Sequence, residues 1–266
     1  MNKITYIITA LLLTTSCVKQ GEKEVSSSGY GAIELLAAVD YTVEELTRSL
    51  VELPQESLPT VDDFSVTIKG ENIDNATGDT VRFDKTYDNI DAYNSEIPSL
   101  IEGEYIVAVS AGDSVSEGAD SFYFKGESSA TVEPLTTTEV SVTAEFHKSA
   151  IKVTTTDWFD KYYPTAYFEV TTSAGNSFNF SSTDSTKMIY VATGTTLTLS
   201  GSAIKSNGFN VDFPEQEIGS TTAKTLSNIT IDASDVGGVE VTVTFSNSVY
   251  DFSPYIIETN PDLNNS

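Results

Sequence analysis

Cysteine and histidine are nearly missing from this chain of 266 residues, with one of each. A single cysteine excludes a disulfide framework and every zinc site built from several thiolates, and a single histidine excludes a multi-histidine metal centre. The same scarcity removes most of the usual nucleophile and base pairs, so no enzyme and no cofactor are expected. Basic residues are also few, 14 against 39 acidic, for a net charge of -25. Such a surface repels phosphates, which excludes nucleic acid as a partner and suits a soluble protein facing outward. No apolar run reaches the ~20 residues that a membrane-spanning helix needs. No Asp-x-Asp-x-Asp-Gly loop is present, so no metal site is expected, although a loosely built calcium site in a turn stays open.

The N-terminus is informative by its order. Lys3 supplies a positive start, Ile4 to Leu13 an apolar stretch, and Thr14, Thr15 and Ser16 a run of small residues that ends at the only cysteine, Cys17. That is the plan of a secretory leader over 1–16. A solitary cysteine directly after small residues resembles the lipobox of bacterial lipoproteins, with one departure: Thr14 stands where leucine is usual. The resemblance implies cleavage before Cys17, acylation of its thiol and a lipid anchor in the outer membrane, exposed at the cell surface. Residues 18–28 have no apolar period and read, with Cys17, as a flexible tether.

From residue 29 onward apolar and polar residues alternate in short runs bounded by Gly, Asn, Asp, Ser and Pro, the period of a half-buried strand. Phe64, Val66 and Ile68 share one face, as do Tyr105, Val107 and Val109, then Val140, Val142, Ala144 and Phe146, and later Val239, Val241, Val243 and Phe245. Helical turns are expected only near 42–50 and 157–163. The fold class is therefore all-β, as two tandem antiparallel β-sandwich domains, over 29–148 and 149–250, followed by a tail over 251–266. A repeat supports the duplication. Residues 130–146 align without a gap to 229–245, and Phe64-Ser-Val-Thr is matched by Phe168-Glu-Val-Thr at a similar offset. The junction from Phe146 to Ile151 lacks Gly and Pro, so a stiff connection is expected.

Several features in this order resemble a family of Bacteroidetes surface lipoproteins known only as a domain of unknown function. They are the lipobox leader, the Gly29-Tyr-Gly-Ala-Ile-Glu-Leu strand, Thr47-Arg48-Ser49, the Asp63-Phe64-Ser-Val-Thr-Ile strand, Gly103-Glu-Tyr-Ile-Val-Ala-Val, Phe122-Tyr-Phe-Lys-Gly126 and Thr-Thr-Glu-Val-Ser-Val-Thr. The resemblance covers roughly 29–180 and implies an Ig-like or transthyretin-like sandwich outside the cell, with no catalytic residue to carry over. More distantly the chain is similar to fimbrillin-like pilins. There an arginine-directed protease cuts after the first strand and frees a groove for a donor strand. Carried over, Arg48 is the cut site and Tyr255-Ile256-Ile257 the donor; the plain alternative is a solvated arginine and a frayed tail.

Residue by residue, chemistry is sparse. His147 lies on the outward register beyond Phe146, and reads as an exposed strand-end histidine rather than a general base. The carboxylates cluster in turns such as Asp62-Asp63, Asp74 and Asp232-Ala-Ser-Asp235, where Asp bonds its own backbone. The densest aromatic stretch, Trp158, Phe159, Tyr162 and Tyr163, is the candidate ligand platform if exposed, or else the lid of the second core. Thr80, Ser114 and Ser185 follow Asp and resemble O-glycosylation sites of exported proteins from these bacteria. Two roles result: adhesion, with a glycan or protein partner at the cell surface, or a pilus or pilus-tip subunit assembled by donor-strand exchange.

Overall fold

The computed structural model describes residues 29–45, 50–54, 58–184, 186–233, 239–245 and 248–252. Cys17, the leader, Arg48, Ser185 and the Tyr255-Ile256-Ile257 tail lie outside them. The first half contains β1 (Tyr30–Asp40), β2 (Thr42–Glu45), β3 (Leu50–Glu52), β4 (Ser65–Ile73), β5 (Thr80–Tyr87), α1 (Ile90–Ser95), β6 (Leu100–Ile101), β7 (Gly103–Gly112), β8 (Tyr123–Val132) and β9 (Thr137–Phe146). The second half contains β10 (Ser149–Thr155), α2 (Asp157–Tyr162), β11 (Thr165–Thr172), β12 (Ser177–Ser181), β13 (Met188–Val191), β14 (Thr196–Ile204), β15 (Asn210–Ser220), β16 (Thr225–Ala233), β17 (Val239–Phe245) and β18 (Ser248–Phe252). The chain is all-β, as the alternation predicts.

In the first unit the strand order is β5-β4-β7-β8-β9-β1-β6. β8 and β9 pair only at Phe124–Phe146 and Lys125–Glu145 and diverge beyond. The sheet therefore folds over on itself there, and β5-β4-β7-β8 faces β9-β1-β6 across one core. Gly126 sits at the crossing: a Cβ there would stand 2.2 Å from the Thr143 carbonyl oxygen. The alternation supplies that core. Ile33, Val66, Ile68, Val107, Phe124 and Phe146 are each at most 1% exposed. In the second unit β12-β11-β14-β15 packs on β13-β10-β16-β17-β18, and Ile151, Phe168, Val170, Leu197, Ile229 and Ile231 fill the space between. Interdigitated apolar side chains from two facing sheets are what a sandwich needs to exclude water.

The two units have one plan. Order β12-β11-β14-β15 with β16-β10-β13 repeats β5-β4-β7-β8 with β9-β1-β6. In each the first strand runs parallel to the last of the seven: β1 with β9 over nine pairs, Ala32–Thr137 to Asp40–Glu145, and β10 with β16 from Ala150–Leu226 to Thr155–Ile231. The strand order recurs, but in a register different from that of the sequence alignment. The gapless alignment sets β9 beside β17, whereas topology equates β9 with β16. The similarity of 130–146 to 229–245 reflects two strand pairs with alike patterning in different places. One is a closely paired hairpin, β16–β17, and the other splays between the two faces of its unit.

A second correction concerns 42–50. β2 and β3 are strands, and β2 runs parallel to the start of β16 through Glu44–Thr225 and Glu45–Leu226. Pairing with a strand 180 residues away overrides the helical preference of Glu-Glu-Leu. It also straps the first half onto the second. By contrast 157–162 is helical, capped by Thr156, whose hydroxyl accepts from the Phe159 amide at 3.1 Å. Helix α1, which the sequence reading missed, has the same kind of cap: Asn89 Oδ1 accepts from the Ala92 amide at 2.7 Å.

The junction is bridged by direct contacts between the two units. The β7–β8 loop reaches over it, and Gly118 exchanges both backbone hydrogen bonds with Tyr190. The Glu117 carboxylate accepts from Thr172 Oγ1 at 2.7 Å, Asn176 Nδ2 at 2.8 Å and the Ala192 amide at 2.9 Å. Burial alone would raise its pKa; those three donors and the Lys148 charge outweigh that and hold it below the usual range. Lys148, 2% exposed, threads the loop and donates to the Ser116 and Ser121 carbonyls. Lys224 pairs with Glu145 across the seam.

Candidate functional site

Strand direction defines two poles. β1 starts at the free end of the first unit, where Glu102 donates its amide to the Gly29 carbonyl, and runs towards the junction. β10 starts at the junction and ends at Thr155 on the far side of the second unit. With about 3.3 Å per residue, β1 is ~36 Å long and β10 ~23 Å, so Gly29 and α2 lie at opposite ends of the molecule.

At the far pole α2 closes the sandwich. Phe159 (0% exposed) and Tyr163 (2%) stack on each other at 4.8 Å and reach Phe168 and Phe213 in the core. The helical period turns Trp158 and Tyr162, also four apart, outward. They are 41% and 43% exposed, with rings in edge contact at 5.0 Å. Lys161 Nζ lies 5.0 Å from the Trp158 ring, close enough for a cation–π attraction. The expected four-ring platform is thus corrected to two: Phe159 and Tyr163 belong to the core, because a one-turn cap must bury one face.

The β14–β15 turn sits beside the helix, with the Ser206 amide donating to the Tyr162 carbonyl at 2.8 Å. It brings Phe209, 45% exposed, to the same pole. On the adjoining outer face of β11 and β14, Tyr167 and Ile204 are also exposed, two pairs apart along the ladder and so on one face. Sequence reasoning missed these three. Tyr167 was readable as the outward partner of Phe168; Phe209 was not, since only the fold brings residue 209 beside residue 162.

Other candidates stay apart from this pole. His147 is exposed at the junction, 6.3 Å from the Tyr123 ring. Asp63, Asp74 and Asp113 each accept amide hydrogen bonds from their own turns, and those to Asp113, led by the Ser116 hydroxyl, pull its pKa down to about 2. Among the described residues no three His, Cys, Asp or Glu side chains are placed to share a metal ion. Thr80 and Ser114 are both exposed. A groove of about 430 Å³ crosses the outer face of β5, β4 and β7, where Lys69 and Arg82 stand 3.6 and 3.9 Å from Asp84.

A family model described as a domain of unknown function, DUF4493, matches residues 29–259. The chain belongs to that family. DUF4493 as seen here has distant company among solved structures. A fimbrial assembly protein from Parabacteroides distasonis shares 10% identity at a TM-score of 0.44, over 85% of this chain and 99% of that one. A proposed cell adhesion protein from Bacteroides ovatus shares 8% at 0.42, over 84% and 98%. Proposed polysaccharide binding proteins from Bacteroides thetaiotaomicron share 9% at 0.40, over 85% and 98%. No curated protein matches this DUF4493 chain.

Proposed function

We propose that this chain is a non-catalytic surface lipoprotein that engages an external partner, a glycan or a protein, with its far pole. Acylated Cys17 holds it in the outer membrane, and residues 18–28 join that anchor to the first unit at Gly29. The observation that carries the reading is polarity: Trp158, Tyr162 and Phe209 are exposed at the end opposite Gly29. Exposed rings at one pole supply large contact area at little ordering cost, useful for stacking on sugar faces or anchoring a protein. The test is adherence of cells displaying the full chain to glycan- and protein-coated surfaces, beside cells displaying Trp158→Ala/Tyr162→Ala. Adherence should fall at least tenfold; undiminished adherence by the variant ends the reading.

One observation favours the pilus subunit as a second reading. β1 lies between β9 and β6 and places Ile33 and Leu35 in the core, and Arg48 follows it in sequence. A cut after Arg48 would leave β1 held by non-covalent contacts alone, its hydrogen bonds and the packing of Ile33 and Leu35, over a groove that another strand fits. Trypsin treatment of the folded chain should then yield a ladder of oligomers, and an uncut or cut monomer refutes it.

A further inference from the structure

The chain returns to the far pole after the second sandwich is complete. β16 runs from the junction to that pole, β17 comes back, and β18 sets out towards the pole again. One row of paired residues fixes the level at which β18 stops. Thr155 on β10, Ile231 on β16, Val241 on β17 and Phe252 on β18 stand side by side across the sheet. Thr155 is followed by Thr156, the cap of α2. Phe252 is therefore level with the start of that helix, three strand spacings or ~14 Å away.

The rings at that pole have an apolar contact left to make. Trp158, Tyr162 and Phe209 are exposed together, and grouped exposed apolar side chains mark a binding surface. Phe209 is the nearest of them to the end of β18. It directly precedes β15, the strand that lies against β17 across the ~10 Å gap between the sheets. The turn that carries it is bonded to Tyr162, and from there α2 leads to Trp158. The sequence after Phe252 reads Ser253-Pro254-Tyr255-Ile256-Ile257, five residues that span up to ~17 Å and end in three large apolar side chains.

We infer that Tyr255-Ile256-Ile257 docks on the Phe209, Tyr162 and Trp158 surface of its own chain, and that an external partner must displace it. This rests on the reading of the far pole as the binding end, and names how that end is regulated. Counted in register, Pro254 falls opposite Val239; with no amide to give to the ladder, it turns the chain out of the sheet beside the pole. The occupant is the chain's own segment rather than a second copy, because a link of a few residues holds it at an effective concentration on the order of mM. Two molecules of net charge -25 also repel each other. Within α2 and the 205–209 turn, Asp157 and Asp160 are balanced by Lys161 and Lys205, so the contact is decided by apolar burial. Three apolar side chains with an intrinsic Kd on the order of 0.1 mM would leave about a tenth of the molecules with a bare pole. A partner then binds about tenfold more weakly than the pole itself allows.

Trp158 is the only tryptophan, so its fluorescence reports on this surface alone. The test compares the full chain with Tyr255→Ser/Ile256→Ser/Ile257→Ser and with a chain stopped after Pro254; melting temperatures check that each folds. In both variants the emission should move to the red and acrylamide quenching rise at least about twofold, and adherence to the coated surfaces should rise about tenfold. Unchanged emission and quenching overturn the inference. Shielding of Trp158 that grows with the concentration of the full chain puts the segment on a second copy and overturns it likewise. If Trp158→Ala weakens adherence while the tail variants leave the fluorescence unchanged, the binding pole stands and the tail contact falls. If the tail variants unshield Trp158 but neither they nor Trp158→Ala alter adherence, the tail contact stands, and the binding reading falls together with the displacement.

Discussion

Replacing Glu117 by alanine should uncouple the two units. In the native chain this carboxylate is a three-pronged acceptor from Thr172, Asn176 and the Ala192 amide, and it stands near the buried ammonium of Lys148. Hydrogen bonds to a charged acceptor are worth about 1.5–3 kcal/mol each at their best. Asn176 is exposed and recovers most of its loss from water, whereas Thr172 is 3% exposed and its hydroxyl would be stranded. Counting one full bond and fractions of the other two gives a loss of about 2–3 kcal/mol at the junction. That is roughly a 30- to 150-fold shift towards an open junction, and about 4–12 °C in the melting temperature if the chain unfolds as one body. Calorimetry of the wild type should show a single transition, and Glu117→Ala a lower or split one. Glu117→Gln, which keeps one acceptor oxygen, should fall between. A Glu117→Ala chain that melts in one step at the wild-type temperature would refute the clasp.

Three further outcomes follow from the same geometry. Phe159→Ala should cost about 3–5 kcal/mol in chemical denaturation while Trp158→Ala costs under about 1 kcal/mol, since only the first empties a packed site. Gly126→Ala should destabilise by about 1–3 kcal/mol, because a methyl group has nowhere to go against the Thr143 backbone. The Glu117 pKa is depressed in the folded state, so its contribution is present above the unfolded value of 4.5 and fades as pH falls through the lower folded one. Acid titration of wild type and Glu117→Gln should show their stabilities converging as the pH falls below 4.5 and through the lowered folded pKa of Glu117.

Most of the fold was legible because alternation is a local signal. Ser65 and Thr67 between Phe64, Val66 and Ile68 fix the inward face without reference to any neighbour. What failed was decided at long range. Glu44 and Glu45 become strand only because the start of β16 offers an edge, and the true duplicate of β9 is revealed by which strand lies beside β10. The site was half legible. A helical spacing of four separates Trp158 and Tyr162 from Phe159 and Tyr163, yet which pair faces outward depends on Phe168 and Phe213 beneath them. The turn at Leu135 between β8 and β9 was invisible, since leucine is among the last residues expected at a φ of 57°.

The parallel pairing of β1 with β9 has a mechanical consequence. A pull between the Gly29 end and the far pole drags β1 from its first residue and β9 from its last, through β10, in opposite directions along the strands. All nine residue pairs from Ala32–Thr137 to Asp40–Glu145 are then loaded together in shear, and none can be peeled open singly as in a hairpin pulled from its ends. A tethered molecule in flowing fluid would hold at forces that unzip an antiparallel seam.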